Sequence, residues 1–207
     1  MVTELKKYFP EISSEQLNSF ETLNEIYPEI NNLVNLVSRK NIDQLFEQHI
    51  LHSLSIQKFH YFKDGQNVVD IGTGGGFPGI PLAIMNPNTH FHLVDSIGKK
   101  IRAVQEICDT LELENVTVTA ARVEEMPMKF DLALVRAVAQ SDKLFFWMKK
   151  KWVKGPHMLL LKGGDLREEM LTLRQSIHGK IIIRKKAISD YFPGEFFDTK
   201  KIIEITK

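Results

Sequence analysis

The feature that most constrains this chain is a run of alternating glycines, Asp70-Ile71-Gly72-Thr73-Gly74-Gly75-Gly76-Phe77. It lies directly on the end of a short apolar stretch, Asn67-Val68-Val69-Asp70-Ile71. A brief apolar run bounded by turn residues is expected to be a buried strand, and Lys63-Asp64-Gly65-Gln66 supplies the turn ahead of it. Glycine lets the backbone turn tightly and lets a ligand approach without a Cβ collision. Residues 77–85 then suit a helix with Pro78 in its first turn. The free N–H groups of that helix would face whatever occupies the loop.

The rest of the chain extends the same theme. His90–Asp95, Val116–Ala120, Phe130–Val135 and His157–Leu161 read as four more strands. Lys99–Leu113 is an amphipathic helix with Ile101, Val104, Ile107, Cys108 and Leu111 on one stripe. Further helices are expected near Ser141–Lys151 and over Leu166–Ile177, and Ile181–Ile183 and Ile202–Ile205 are two last strands. No clear helix separates them, so a hairpin with one antiparallel member is expected. Strands alternating with helices imply an α/β fold, Rossmann-like, with a mostly parallel sheet covered on both faces.

Residues 1–62 differ, because their periodicity is helical throughout. Ser13 or Ser14 can cap a helix carrying Leu17, Phe20, Leu23 and Tyr27. Pro28 is expected to break it. Apolar-periodic stretches follow around Ile30–Val37 and Ile42–Leu54. Two units are therefore expected: a helical extension over residues 1–62, packed on the core, and a ligand-binding domain over 63–207.

The second strand ends in Asp95, 23 residues after Gly72. A carboxylate there can accept hydrogen bonds from both ribose hydroxyls of an adenosine ligand. That alone fits NAD or S-adenosylmethionine. The loop favours the second. A dinucleotide loop spaces its glycines G-x-G-x-x-G, and the last of those positions is Phe77 here. Asp70, two residues before the first glycine, would repel a pyrophosphate but suits a ligand carrying an ammonium and a sulfonium. After the third strand, Ala121-Arg122-Val123-Glu124-Glu125 would lie beside the adenine. Val123 and Glu124 can read its edge there, or the two glutamates can simply be solvated charges at a helix start.

These residues resemble the bacterial family of small-subunit ribosomal RNA guanine-N7 methyltransferase G, also called glucose-inhibited division protein B. The resemblance rests on Asp70-Ile-Gly-Thr-Gly-Gly-Gly-Phe-Pro-Gly-Ile-Pro-Leu-Ala83, Val94-Asp95-Ser96 with Lys99-Lys100, and Asn115-Val116 leading to Arg122-Val123-Glu124-Glu125. Phe130-Asp131 with Arg136-Ala137, Lys162-Gly163, Asn35-Leu36-Val37-Ser38 and His49-Ile50-Leu51-x-Ser53-Leu54 also fit. It covers roughly residues 30–165. The family usually reads His-Ile-Leu-Asp-Ser-Leu, and the fourth residue here is His52.

The resemblance implies a class I methyltransferase with a seven-stranded sheet and a helical N-terminal extension. It also implies methyl transfer from S-adenosylmethionine to N7 of a guanine in 16S ribosomal RNA, free or in the small subunit. Cofactor contacts are implied at the positions of Gly72, Phe77, Val123, Glu124 and Arg136. To these the loop adds Asp70, Gly74, Gly76, Asp95 and Ser96.

Guanine N7 is a lone pair on the major-groove edge and carries no proton. Its methylation needs alignment and exclusion of water rather than a general base. The sequence agrees: no Asp/Asn-Pro-Pro-Tyr/Phe signature ends the fourth strand, and the lone Cys108 lies mid-helix, as a small core residue would. The fourth strand ends instead in Arg136, which can grip a phosphate, guanine O6 or the cofactor carboxylate, or pair with Asp131 or Glu124. Lys162, ending the fifth strand, can meet a phosphate or stay a plain exposed lysine. Asn35, His49 and Ser53 are candidates for the substrate mouth, although His49 alone fits a core-edge histidine. His49 and His52 lack a third partner at zinc spacing, so no metal is expected.

Lys149-Lys150-Lys151-x-x-Lys154, flanked by Trp147 and Trp152, and Arg184-Lys185-Lys186 are candidates for RNA backbone contact. Net charge is only +1, so any such patch must be local. One cysteine, no apolar run near the ~20 residues that span a bilayer, and charges with Pro10 where a signal peptide would be apolar lead to a cytoplasmic protein as the expectation; a monomer is expected as well. A methyltransferase for a small molecule or protein, and an NAD-binding oxidoreductase, are the competing readings.

Overall fold

The structure is a computed structural model that describes residues 1–177 and 179–207, with the side chains of residues 39–41 outside the description. Its centre is a seven-stranded sheet of order β3-β2-β1-β4-β5-β7-β6. The strands are β1 (Asn67–Ile71), β2 (His90–Asp95), β3 (Val116–Ala120), β4 (Leu132–Arg136), β5 (His157–Gly163), β6 (Ile182–Ala187) and β7 (Lys200–Thr206). The first five are mutually parallel, and β7 is inserted antiparallel between β5 and β6. The connection from β6 to β7 carries only short helical turns, at Ile188–Asp190 and Glu195–Phe197, as the sequence suggested.

Parallel strands need crossovers, and these place helices on both faces. The helices α1 (Val2–Tyr8), α2 (Ser14–Val34), α3 (His52–Phe59), α4 (Gly79–Met85) and α5 (Gly98–Thr110) share one apolar core with Val68, Leu93, Leu134 and Leu159. On the other face, α6 (Ser141–Trp147) and α7 (Arg167–Ser176) bury Leu144, Met170 and Leu173 against Val69, Ile71, Val135 and Leu160. The alternation of Val68 and Val69 between the two cores is the period-2 pleat of a strand covered on both sides. Cys108 is buried in the first core.

The N-terminal helices depart from expectation at one point. Ser13 caps α2 through a reciprocal box with Gln16, but the helix does not stop at Pro28. A proline inside a helix costs about 3 kcal/mol. Phe20 and Leu23 before it and Ile30 after it are buried, each contributing roughly 1.5–3 kcal/mol. Packing on both sides of the proline outweighs the lost hydrogen bond. Gln16 also reaches across to the carbonyls of Ile84 and Met85, at 3.1 and 3.2 Å, and so satisfies the end of α4.

Smaller shifts have local causes. β4 begins at Leu132 rather than Phe130, because Phe130 pairs with Trp152 in an isolated bridge. α4 begins at Gly79, with Pro78 as its cap residue, and α6 ends at Trp147. The stretch Ile42–Leu54 is not one helix. A tight turn over Arg39–Gln44 passes into a widened helical turn over Phe46–Leu51, and only then into α3. Such widened turns are rare and gather at functional sites.

Candidate functional site

The strand order switches at β1, with β2 and β3 laid down on one side of it and β4 and β5 on the other, so the loops leaving the carboxyl ends there diverge. A cavity of about 600 Å³ opens at that point. One wall is the glycine loop after β1, the end of β2 and the turn after β3. The other comes from the helical N-terminal part, the end of β4 and the β7 approach.

The loop is held by Asp70, which is fully buried. Its Oδ2 accepts a 2.7 Å bond from the Thr73 hydroxyl and a 2.9 Å bond from the Gly79 amide. One carboxylate thus ties the middle of the loop to the start of α4. Its Oδ1 has no partner, and burial raises its pKa to about 6, against hydrogen bonds that pull it down. Asp70 lies behind the cavity lining, as does Gly76, which turns against Ile80. The expectation that both face the ligand is corrected: local hydrogen bonding absorbs Asp70, and the curl of the loop turns Gly76 away.

Gly72, Gly74, Phe77, Asp95, Ser96, Val123 and Glu124 do line the cavity. Gly74 sits at φ +58, a conformation that favours glycine. The loop carries a further constraint at Gly75, where a Cβ would stand 2.1 Å from the Tyr27 hydroxyl. That hydroxyl donates to the Gly75 carbonyl at 2.9 Å, so α2 braces the loop from outside. Asp95 accepts from the amides of Gly74, at 3.0 Å, and Ile97, at 2.9 Å, which aims its carboxylate along the rim. Val123 is buried and opens a short turn over Val123–Glu125 beside it.

The opposite wall centres on Arg136. Its Nη1 donates to His49 Nδ1 at 3.0 Å and to the Gln48 carbonyl at 3.4 Å, and its guanidinium lies 5.1 Å from the Phe77 ring centre. Among the described residues it makes no ion pair: neither Asp131 nor Glu124 reaches it. Burial lowers its pKa to about 10, so it stays charged at neutral pH. Because His49 accepts at Nδ1, its hydrogen sits on Nε2, which is buried without a partner. Burial first, and then the Arg136 charge, lower the pKa of His49 to about 3. His52 also lines the cavity, edge-on to Phe196 and Phe197, and the same two causes lead in lowering it to about 3. Both rings are neutral at physiological pH.

Three other candidates fall differently. Lys162 lines the cavity but is engaged, 2.7 Å from Glu169 and donating to the Ala139 carbonyl at 2.9 Å. Asn35 forms the left-handed cap of α2 and lies outside the lining, and Ser53 is buried with its hydroxyl on the His49 carbonyl. The expectation that they line the mouth is corrected: a helical back-bond holds Ser53 inside, and Asn35 stands exposed at the end of α2. Leu36, Lys100 and Trp147 share the lining, as do Gln48, Phe196 and Lys200, which the sequence did not single out. Among the described residues one potential metal-binding trio comes together, His60, His157 and Glu204, and none of it lines this cavity.

Solved structures with a similar architecture include methyltransferases. A SAM-dependent methyltransferase from Aquifex aeolicus superposes with a TM-score of 0.61 at 16% identity, covering 86% of this chain and 97% of that one. Magnesium protoporphyrin IX methyltransferase from Synechocystis, solved with bound SAM, gives 0.60 at 13% identity, over 95% and 99% of the two chains. In sequence, the ribosomal RNA small subunit methyltransferase G of Christiangramia forsetii is 49% identical, covering 96% of this chain and 94% of the relative. That of Cytophaga hutchinsonii is 41% identical over 97% of each. The family model described as GidB, rRNA small subunit methyltransferase G, matches residues 16–188. The chain belongs to that family.

Proposed function

We propose that this protein transfers a methyl group from S-adenosylmethionine to N7 of a guanine in 16S ribosomal RNA. The observation that carries this is the wall around Arg136: a half-buried, charged guanidinium without a carboxylate, beside two neutral histidines. Such a wall can orient an acceptor and exclude water. His49 Nδ1 is occupied by Arg136, so it is not poised to take a proton. N7 of guanine is an acceptor that requires no deprotonation.

The residues present fit the cofactor. The Asp95 carboxylate can accept from two ribose hydroxyls, the turn at Val123 and Glu124 meets the adenine, and the unpaired Arg136 matches an amino-acid carboxylate. Phe77 stands where a dinucleotide loop carries its last glycine, so the loop does not suit a pyrophosphate. When bound, the cofactor supplies an electrophilic methyl on a sulfonium. That chemistry would leave no proton to remove from the acceptor, so the residues here are needed to align and to exclude water rather than to act as a base. Phe77 and His49 shield the junction from water, Arg136 fixes alignment, and Lys200 and Lys100 on the lining offer charge to RNA phosphates. Lys162 acts through Glu169 to hold the end of β5. Residues 1–62 serve as the extension that builds the acceptor wall, and residues 63–207 as the cofactor domain. The protein works as a cytoplasmic monomer.

Incubation with methyl-labelled cofactor and either small subunits or protein-free 16S RNA, followed by mass mapping, tests the reading. The expected product is N7-methylguanine at a single site. Label on an exocyclic amine, a ribose or a protein would contradict it.

A further inference from the structure

A second hollow, of about 700 Å³, adjoins the first, and Trp147 forms part of both linings. It is lined by the end of α6, the segment leading into β5 and the end of α7. Its surface combines two features. Phe146 and Val153 are 70% and 51% exposed, a large apolar display for a protein surface. Lys143, Lys149 and Lys154 are exposed in the same lining, and none makes an ion pair among the described residues. Asp142 is the one acidic side chain facing them.

The hollow is preformed. The segment beneath it is pinned by Phe130, whose amide donates to the Lys151 carbonyl at 2.7 Å and whose carbonyl accepts from Val153 at 3.0 Å. The Lys151 ammonium reaches the Met126 carbonyl. The Trp152 indole N–H, also in the lining, is buried without a partner and is a donor still to be satisfied. Rigid aromatic faces interleaved with unpaired cations are what a single-stranded nucleic acid requires: bases stack on the rings and phosphates meet the charges. An acidic peptide would use the lysines but would leave the flat aromatic surface without a matching partner.

We infer that this hollow holds an unpaired stretch of the substrate RNA next to the target guanine, with Trp147 marking the passage between the two. Phosphates meet Lys143, Lys149 and Lys154, and a base stacks on Phe146. The inference rests on the ribosomal RNA reading above and adds to it where the flanking nucleotides lie.

The test uses the full chain with Lys149→Glu and Lys154→Glu combined, and separately Phe146→Ala. KM for protein-free 16S RNA is expected to rise about tenfold or more in the double variant, with S-adenosylmethionine affinity unchanged by calorimetry. Lys149→Arg with Lys154→Arg should restore KM. Binding of a short unpaired oligoribonucleotide, read by fluorescence anisotropy, should weaken in parallel and lose part of its salt dependence. This second arm needs no turnover, so it judges the hollow even if the wild-type protein methylates no RNA, a result that would instead overturn the proposed function. Unchanged KM and unchanged oligonucleotide binding in the charge-reversed variant would overturn the inference. So would a defect confined to assembled subunits, which would place a ribosomal protein in the hollow.

Discussion

On the cofactor side of the cavity, the work is done by backbone and short-range hydrogen bonds. Asp70 holds Thr73 and Gly79, and Asp95 holds Gly74 and Ile97, all within a span of 28 residues. On the acceptor side, side chains meet from far apart in sequence, as Arg136 does with Gln48 and His49 across 88 and 87 positions. The first wall is an anionic rim laid down by one strand–turn–helix unit and its neighbour. The second is a half-buried cation and two neutral rings, assembled only when the helical extension docks. A wall of the first kind can be reused for the same cofactor across many methyltransferases. A wall of the second kind is where specificity for one acceptor can be set, with Arg136 the residue shared with the cofactor.

That division can be broken by mutation. The largest effect is expected for Asp95→Ala, which removes charged acceptors for two hydroxyls. Hydrogen bonds to charged groups are worth about 1.5–3 kcal/mol each, so cofactor affinity should fall at least about a hundredfold, measured by calorimetry, while the circular dichroism spectrum stays native. Next comes Arg136→Met. Methyl transfer should fall roughly ten- to a hundredfold or more, yet the ligand-free protein should melt at a somewhat higher temperature, because a half-buried cation without a counter-ion is removed. A lower melting temperature would mean that the guanidinium is structural rather than held in readiness.

Smaller effects sharpen the contrast. Tyr27→Phe leaves the Gly75 carbonyl without its donor and should cost about 1–2 kcal/mol in denaturant unfolding. It should weaken the cofactor only several-fold, since the loop retains its Asp70 ties. Smallest is a pH signature of opposite sign on the two walls. The Asp70 pKa is raised to about 6 from 3.8, so the folded state binds the proton more readily than the unfolded chain. Stability of wild type relative to Asp70→Asn should therefore fall as pH rises from about 4 to about 6. His49 and His52 are lowered to about 3 from 6.5. Stability relative to a His49→Gln, His52→Gln variant is fully present above pH 6.5 and should be lost as pH falls below it. Thermal melts across pH 4–8 would read both slopes.

The same contrast explains what was legible in the sequence. The glycine loop, Asp95 and the turn at Val123 could be placed from spacing alone, because each depends on its own strand or the turn beside it. The sheet could be outlined because buried strands are short apolar runs between turn residues. The run through Pro28 could not, since burial of residues before and after the proline decides it. Nor could the brace from Tyr27 to Gly75: Tyr27 stood out only as an apolar position on a helix, and nothing local marks its hydroxyl as a donor to a loop 48 residues away. Asn35 and Ser53 were placed at the mouth by motif, but Asn35 stands exposed at the end of α2 and a helical back-bond holds Ser53 inside. His52 is a third case. It departs from the family pattern, and the structure puts it in the lining, where the Arg136 charge acts on it.

The most direct test of the central claim is a calorimetric titration of wild type and Asp95→Ala with S-adenosylmethionine and with NAD. Wild type is expected to bind one S-adenosylmethionine per chain and no NAD, and the variant to bind S-adenosylmethionine at least about a hundredfold more weakly. Binding of NAD by wild type, or undiminished binding of S-adenosylmethionine by Asp95→Ala, would contradict it.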